Sequence, residues 1–213
     1  MKCIYCDHPH TYLLADAQHK CSKCKRKFSL KKIAREKKLF SHFKEGISAR
    51  KTAFLTKMHF ATVQKYFEKF RYKLLGDADR MYQNNAHKIT QYDEYLYLPV
   101  SLKPKNNTHK IQHFLTLSYD NTIYCIMMPT IKNSLLYKQS DTEHKLLDKY
   151  LRFNKISKIV QSKNIITDFW NYFETFICQY KGVSSDNFIL YLKEAEWRFN
   201  LLNKVQKIKS NIR

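Results

Sequence analysis

Two Cys-x-x-Cys pairs, Cys3/Cys6 and Cys21/Cys24, constrain this chain more than any other feature of its sequence. Each pair can aim two thiolates at one ion, and two pairs complete the tetrahedral sulfur set that Zn²⁺ takes. Residues 1–30 have almost no apolar core, so a segment this small needs the metal in order to fold. A closed four-thiolate site has no open position for water, which makes the expected zinc structural rather than catalytic. His8, His10 and His19 could each replace a cysteine, although lone histidines beside a knuckle are more often surface residues. The expectation is a zinc ribbon over 1–30, built of short strands and knuckles.

Charge narrows the partner. The chain has 39 Lys+Arg against 18 Asp+Glu, a net of +21 over 213 residues. Residues 1–75 hold 19 of the cations and only 5 of the acids. That imbalance suits a polyanion, either nucleic acid or an anionic membrane surface. No apolar run approaches a bilayer span, and Met1-Lys2-Cys3 leads into the cysteine motif without an apolar signal core. The expected location is therefore the cytoplasm, alongside the nucleoid, with no membrane partner. In that reducing compartment six cysteines are not a disulfide framework. Cys125 and Cys178 read as buried apolar residues rather than ligands or nucleophiles.

Lys25, Arg26 and Lys27 follow the second knuckle, and Lys31, Lys32, Arg35, Lys37 and Lys38 continue the run. Such a stretch would track phosphates and make binding strongly salt-dependent. Next come Ile47–Leu55 and His59–Tyr66, separated by a few residues that include Met58, and together they read as a helix-turn-helix within 31–76. Ala53 is the small residue that lets two helices cross, Met58 plugs the turn, and Val63, Tyr66, Phe67 and Phe70 form the inner stripe. Arg50 and Lys51, on the first helix of the pair, are expected DNA contacts. The second offers Thr62, Gln64, Lys65 and Lys69 to a major groove, with Gln64 reading a base edge and the lysines holding phosphate. A plain helical hairpin is the alternative, since the turn lacks a glycine. Gly76 is read as the helix stop and the boundary between halves.

The remainder, 86–204, is mixed, so the fold class is α+β. Ile89–Val100, Phe114–Tyr119 and Thr122–Met128 read as three strands, the last two joined by an Asp120-Asn121 hairpin turn. Residues 141–204 read as mainly helical around a short strand at Lys158–Val160. Ile166, Phe169, Trp170, Phe173, Ile177 and Tyr180 recur at helical spacing. Phe188, Tyr191, Leu192, Ala195, Phe199 and Leu202 repeat the pattern, after Ser184 and Ser185 as N-caps.

The order of these parts resembles the zinc-ribbon bacterial insertion-sequence transposases. The elements that carry the resemblance are the Cys₄ ribbon, the helix-turn-helix, Asp93-Glu94 in a first strand, Asn164-x-Ile166-x-x-Phe169-Trp170, and the ending Tyr191-Leu192-x-Glu194-x-Glu196-x-Arg198-Phe199-Asn200. The resemblance implies an RNase H-like core over 86–204, in shortened form. It also implies binding of double-stranded DNA at element ends and Mg²⁺- or Mn²⁺-dependent strand cleavage and transfer, with a homodimer handling two ends. Asp93 falls on the first catalytic aspartate and Asn164 on the third position. A second aspartate should follow a strand between them, but Lys158-Ile159-Val160 runs into Gln161 and Ser162. Asp141 and Asp148, both in charged stretches, are the substitutes available. A descendant that keeps DNA binding without strand transfer is the competing reading, and a zinc-ribbon transcription factor, which leaves the closing motif unexplained, is a third. Glu194 and Arg198, spaced i, i+4, also fit a simple helix brace.

Overall fold

The computed structural model describes residues 1–97, 112–128 and 164–211. The chain divides into two compact units, Met1–Phe70 and Arg71–Arg213.

The first unit opens on three very short antiparallel strands, β1 (Thr11–Leu13), β2 (His19–Cys21) and β3 (Lys27–Phe28), in that order. Asp7, Ala17 and Lys25 adopt left-handed backbone, with φ near +55 to +59°. Asp7 and Lys25 each directly follow the second cysteine of a pair, where the knuckle must reverse. Helices α1 (Leu30–Lys44) and α2 (Ala49–Thr56) follow, and a third, α3 (Phe60–Asn85), begins in this unit and continues past its boundary at Phe70. Ser29 and Ser48 cap the first two, their hydroxyls accepting from the amides of Lys32 and Lys51.

α1 stops at Gly46, φ +81°, where the Gly46 amide donates to Phe43 and that of Ile47 to His42, a Schellman termination. α2 ends the same way, with Lys57 donating to Phe54 and Met58 to Ala53. Lys57, φ +54°, takes the left-handed position that glycine would otherwise fill. The absent turn glycine is thus absorbed as local strain. Leu39, Phe43, Ala53, Val63, Phe67 and Phe70 are buried, and Phe43 meets Phe67 edge-on at 5.1 Å between ring centres. Tyr66 is only half-buried.

α3 does not stop at Gly76, which corrects the helix end expected there. Leu74 continues the buried stripe, Asp77 pairs with Arg80 one turn on, and no proline intervenes. A single interior glycine costs only about 1 kcal/mol, which the surrounding helix formers and packing absorb.

In the second unit β4 (Gln91–Tyr97), β5 (Gln112–Tyr119) and β6 (Thr122–Met127) form an antiparallel sheet in sequential order. Asp120 and Asn121, φ +47° and +61°, make the hairpin turn, both in the left-handed region that a type I′ turn requires. As the middle strand, β5 is buried on both faces over most of its length. One sheet face, carrying Tyr95, Phe114, Ile123 and Cys125, is covered by two helices, α4 (Ile165–Ile177) and α5 (Ser185–Asn211). Phe169, Trp170, Phe173, Leu192, Ala195 and Phe199 complete that core. On the opposite face Leu117, Tyr119 and Tyr124 pack with Ala78, Tyr82 and Ile89.

Ser184 caps α5, its hydroxyl accepting from the Asn187 amide. Cys125 is buried as expected, whereas Cys178 is exposed. The latter sits at the C-terminal end of α4, past the last inward position, Ile177. Leu202 is exposed as well, beyond the reach of the core that holds Phe199. Asp141, Asp148, the strand at 158–160 and the end of the first strand beyond Tyr97 lie outside the described residues.

Candidate metal centre and nucleic-acid interface

The four knuckle cysteines converge: their Sγ atoms all lie within 4.8 Å of one another, with Cys3 to Cys24 and Cys6 to Cys21 each at 3.7 Å. A disulfide would need about 2 Å. A tetrahedron with metal–sulfur bonds of about 2.3 Å places its sulfurs about 3.8 Å apart, so the donor set fits a structural Zn²⁺. Amides already point at the sulfurs, Tyr5 donating to Cys3, and Lys23 and Cys24 donating to Cys21.

Desolvation raises the Cys21 thiol, but the amides of Cys24 and Lys23 and the neighbouring thiols outweigh it and bring it to about 6. The amide of Arg26 favours a thiolate at Cys24, yet desolvation and the other three thiols push it up to about 11. Cys21 therefore takes a negative charge readily, whereas Cys24 resists one until a cation balances it. Phe28 closes the underside with His19 stacked on it and Tyr5 against its edge. His8, His10 and His19 do not join the sulfur cluster.

The basic residues of the first unit are displayed outward. Lys25, Arg26 and Lys27 are exposed, with the Arg26 guanidinium over the Tyr5 ring at 5.2 Å. Lys31, Lys32, Arg35, Lys37 and Lys38 are exposed along α1, and Arg50 and Lys51 on α2. On α3, Gln64 and Lys65 are exposed on the side away from Val63 and Phe67. Thr62 is half-buried, and the Lys69 ammonium bonds Glu36 of α1 at 2.8 Å. A phosphate would compete with Glu36 for Lys69.

In the second unit Asp93 lies opposite Thr116 in the sheet register. It shares a face with Tyr95, whose ring stacks on Trp170 at 3.8 Å, and Trp170 Nε1 donates to Thr116 Oγ1 at 3.0 Å. Asp93 is exposed and accepts from the Glu94 amide at 2.8 Å. Glu94 points to the other face, near His113 at 3.3 Å. Asn164 is the N-cap of α4, its Oδ1 accepting from Ile166 at 3.1 Å. No hydrogen bond joins Asp93 to Asn164, and among the described residues the four cysteines are the only metal-competent cluster.

The closing motif on α5 has a structural role that its pattern only hinted at. Glu194, fully buried, accepts from Arg71 Nε at 2.6 Å and from Arg198 Nε and Nη2 at 3.0 and 2.8 Å. Arg71 also lies over the rings of Tyr191 and Tyr180, at 4.2 and 5.6 Å. Burial and the Glu194 charge push the Tyr180 hydroxyl up to about 12.

Further along the helix, Asn200 Oδ1 accepts from the Ile123 amide and its Nδ2 donates to the Ile123 carbonyl. Glu196 accepts from the Cys125 amide, and Lys193 donates to the Cys125 carbonyl and to Glu196. These three side chains act as a substitute strand along the outer edge of β6. Burial raises Glu196 above the ordinary carboxylate range, with Lys193 opposing the shift. Arg71 and Lys193 carried no sequence signal, since buried cations are rare and neither stands in a site pattern.

Comparison with known proteins finds a partial relative. The chain is 28% identical over 97 residues to the "Uncharacterized transposase-like protein" of Haemophilus influenzae, an alignment that spans 40% of this chain and 79% of that protein. No family model matches the chain, and no solved structure does. No helix among the described residues is long and apolar enough to cross a membrane. The chain is thus an α+β protein with a Cys₄ metal-competent knuckle and a distant, partial relationship to a transposase-like protein.

Proposed function

We propose that this chain is a DNA transposase whose first unit binds element ends and whose second cuts and joins DNA. The observation that carries the reading is the combination, within one unit, of a tetrahedral thiol set and a helix-turn-helix whose outward residues are Arg50, Lys51, Gln64 and Lys65. The transposase-like relative adds the lineage. In this reading Zn²⁺ on Cys3, Cys6, Cys21 and Cys24 holds the ribbon rigid. Lys25, Arg26, Lys27, Lys65 and Lys69 neutralise phosphates, and Gln64 and Thr62 meet base edges. RNase H-like metal chemistry belongs to the second unit, with Asp93 and Asn164 as two of the oxygen ligands. A divalent cation there would stabilise the attacking and leaving oxygens of phosphoryl transfer. Two copies acting on two ends make a homodimer the working form.

One observation favours a second reading, a DNA-binding descendant without strand transfer. The Asn164 amide oxygen is already engaged as a helix cap, and the described residues place no further carboxylate in a metal-competent group with Asp93. The test is cleavage and strand transfer on DNA flanking this gene, with Mg²⁺ or Mn²⁺, comparing wild type with Asp93→Asn. Metal-dependent products that vanish in the variant establish the enzyme. Specific binding without products under any metal establishes the descendant.

A further inference from the structure

The outer face of α2 departs from what an exposed helix face normally holds. Thr52 and Ala53 are buried, leaving Arg50, Lys51, Phe54 and Leu55 outward. Phe54 is 84% exposed, the highest value among the large apolar residues described, and Leu55 and Phe60 are exposed at 46% and 40%. Isolated exposed apolar residues are ordinary. Three within seven positions, interleaved with exposed Lys57 and His59, are a patch that solvent alone does not favour.

The surroundings select the occupant. Arg50 precedes Phe54 by one turn, on the same face, about 6 Å along the helix axis. Among the described residues neither Arg50, Lys51 nor Lys57 makes an ion pair, and the nearest acids in sequence on either side are Glu45, just after α1, and Glu68, on α3. A second copy docking by this same face would bring its own cations against these, at a cost in repulsion. A nucleic-acid duplex instead offers phosphates for the cations and, between them, the apolar faces of base steps.

Resting on the DNA-binding reading above, we infer that Phe54 is an apolar wedge. With Arg50 and Lys51 anchored on phosphates, its ring inserts against a base step and partly unstacks it, bending the duplex. This adds an interaction distinct from the groove-reading residues Gln64 and Lys65. It also accounts for an aromatic ring that contributes nothing to the core of its own unit.

The experiment uses the full zinc-loaded chain and short duplexes from the DNA flanking this gene, with 2-aminopurine at successive positions. Wild type, Phe54→Ala and Phe54→Trp are compared for affinity, 2-aminopurine fluorescence and end-to-end energy transfer. The expected result is a local fluorescence rise and a bend with wild type and Phe54→Trp. Phe54→Ala should abolish both and bind on the order of tenfold more weakly, from the usual worth of one aromatic–base stack. Its thermal melting should be unchanged, because the ring is exposed.

Equal affinity and bending by wild type and Phe54→Ala would overturn the wedge while leaving DNA binding intact. Failure of wild type to bind any of these duplexes would instead sink the DNA-binding reading, and the wedge with it. A fall in molecular mass by light scattering on Phe54→Ala, with bending retained, would assign the patch to a second copy and overturn the wedge.

Discussion

Glu194→Gln should destabilise the second unit severely, and the size of the effect separates two accounts of the same helix pair. As an exposed i, i+4 brace, Glu194 and Arg198 would contribute only about 0.3–0.5 kcal/mol. The structure puts Glu194 at 0% exposure, with the side chains of Arg71 and Arg198 at 9% and 11%. Neutralising the one carboxylate leaves two guanidinium groups facing each other in a desolvated site. Breaking a buried pair in this way costs about 3–5 kcal/mol. The Tyr191 and Tyr180 rings over Arg71 retain part of its stabilisation, which places the expectation near the lower figure.

The assay is urea unfolding of the full chain with Zn²⁺ present, followed by circular dichroism. The expected signature is a lowered midpoint at unchanged slope, with a fall in Tm of about 6–12 °C for 3 kcal/mol in a protein of this size. A destabilisation below about 1 kcal/mol would refute the buried-charge reasoning. An Arg71→Met, Glu194→Leu, Arg198→Met triple variant should recover much of the stability, because apolar replacement removes all three desolvation costs together.

Three further outcomes follow from the geometry. Lys57→Gly should stabilise the first unit by about 0.5–1 kcal/mol by relieving its left-handed backbone at φ +54°, checked by thermal melting. Zn²⁺ uptake near pH 7 should release protons to solvent, because the metal displaces the proton that Cys24, near 11, still holds, while Cys21, near 6, is already ionised. Affinity should therefore weaken as pH falls, more steeply below 6 where Cys21 also protonates, and a competition titration against a zinc indicator measures it. Lys65→Ala should weaken DNA binding uniformly across sequences and reduce the salt-dependence slope by about 0.9 for each phosphate that it leaves unneutralised, whereas Gln64→Ala should relax preference at one position. Unchanged binding by both variants would place the interface elsewhere.

Much of the architecture is local physics and is legible in the chain alone. The spacing within each cysteine pair sets two sulfurs side by side, because a knuckle is a short-range turn, and the folded ribbon brings the two pairs within 4.8 Å of one another. The Asp120-Asn121 hairpin, the inner stripe of Val63, Phe67 and Phe70, and the burial of Phe169 and Trp170 follow from turn chemistry and periodicity. Where local rules failed, tertiary packing outweighed them. Gly76 looked like a helix stop, but the packed continuation of α3 exceeds the small penalty of one interior glycine.

The closing motif shows the division most clearly. Its i, i+4 pair was visible in the sequence, but a fully desolvated Glu194 shared between Arg198 and Arg71, 123 positions away, was not. Nor was the service of Lys193, Glu196 and Asn200 as an edge for β6. Periodicity reports which side of a helix faces inward, but not what polar group waits there. Only the folded chain brings distant residues together and decides whether a charge is solvated or buried, and with that whether the same side chain is worth a few tenths of a kcal/mol or several.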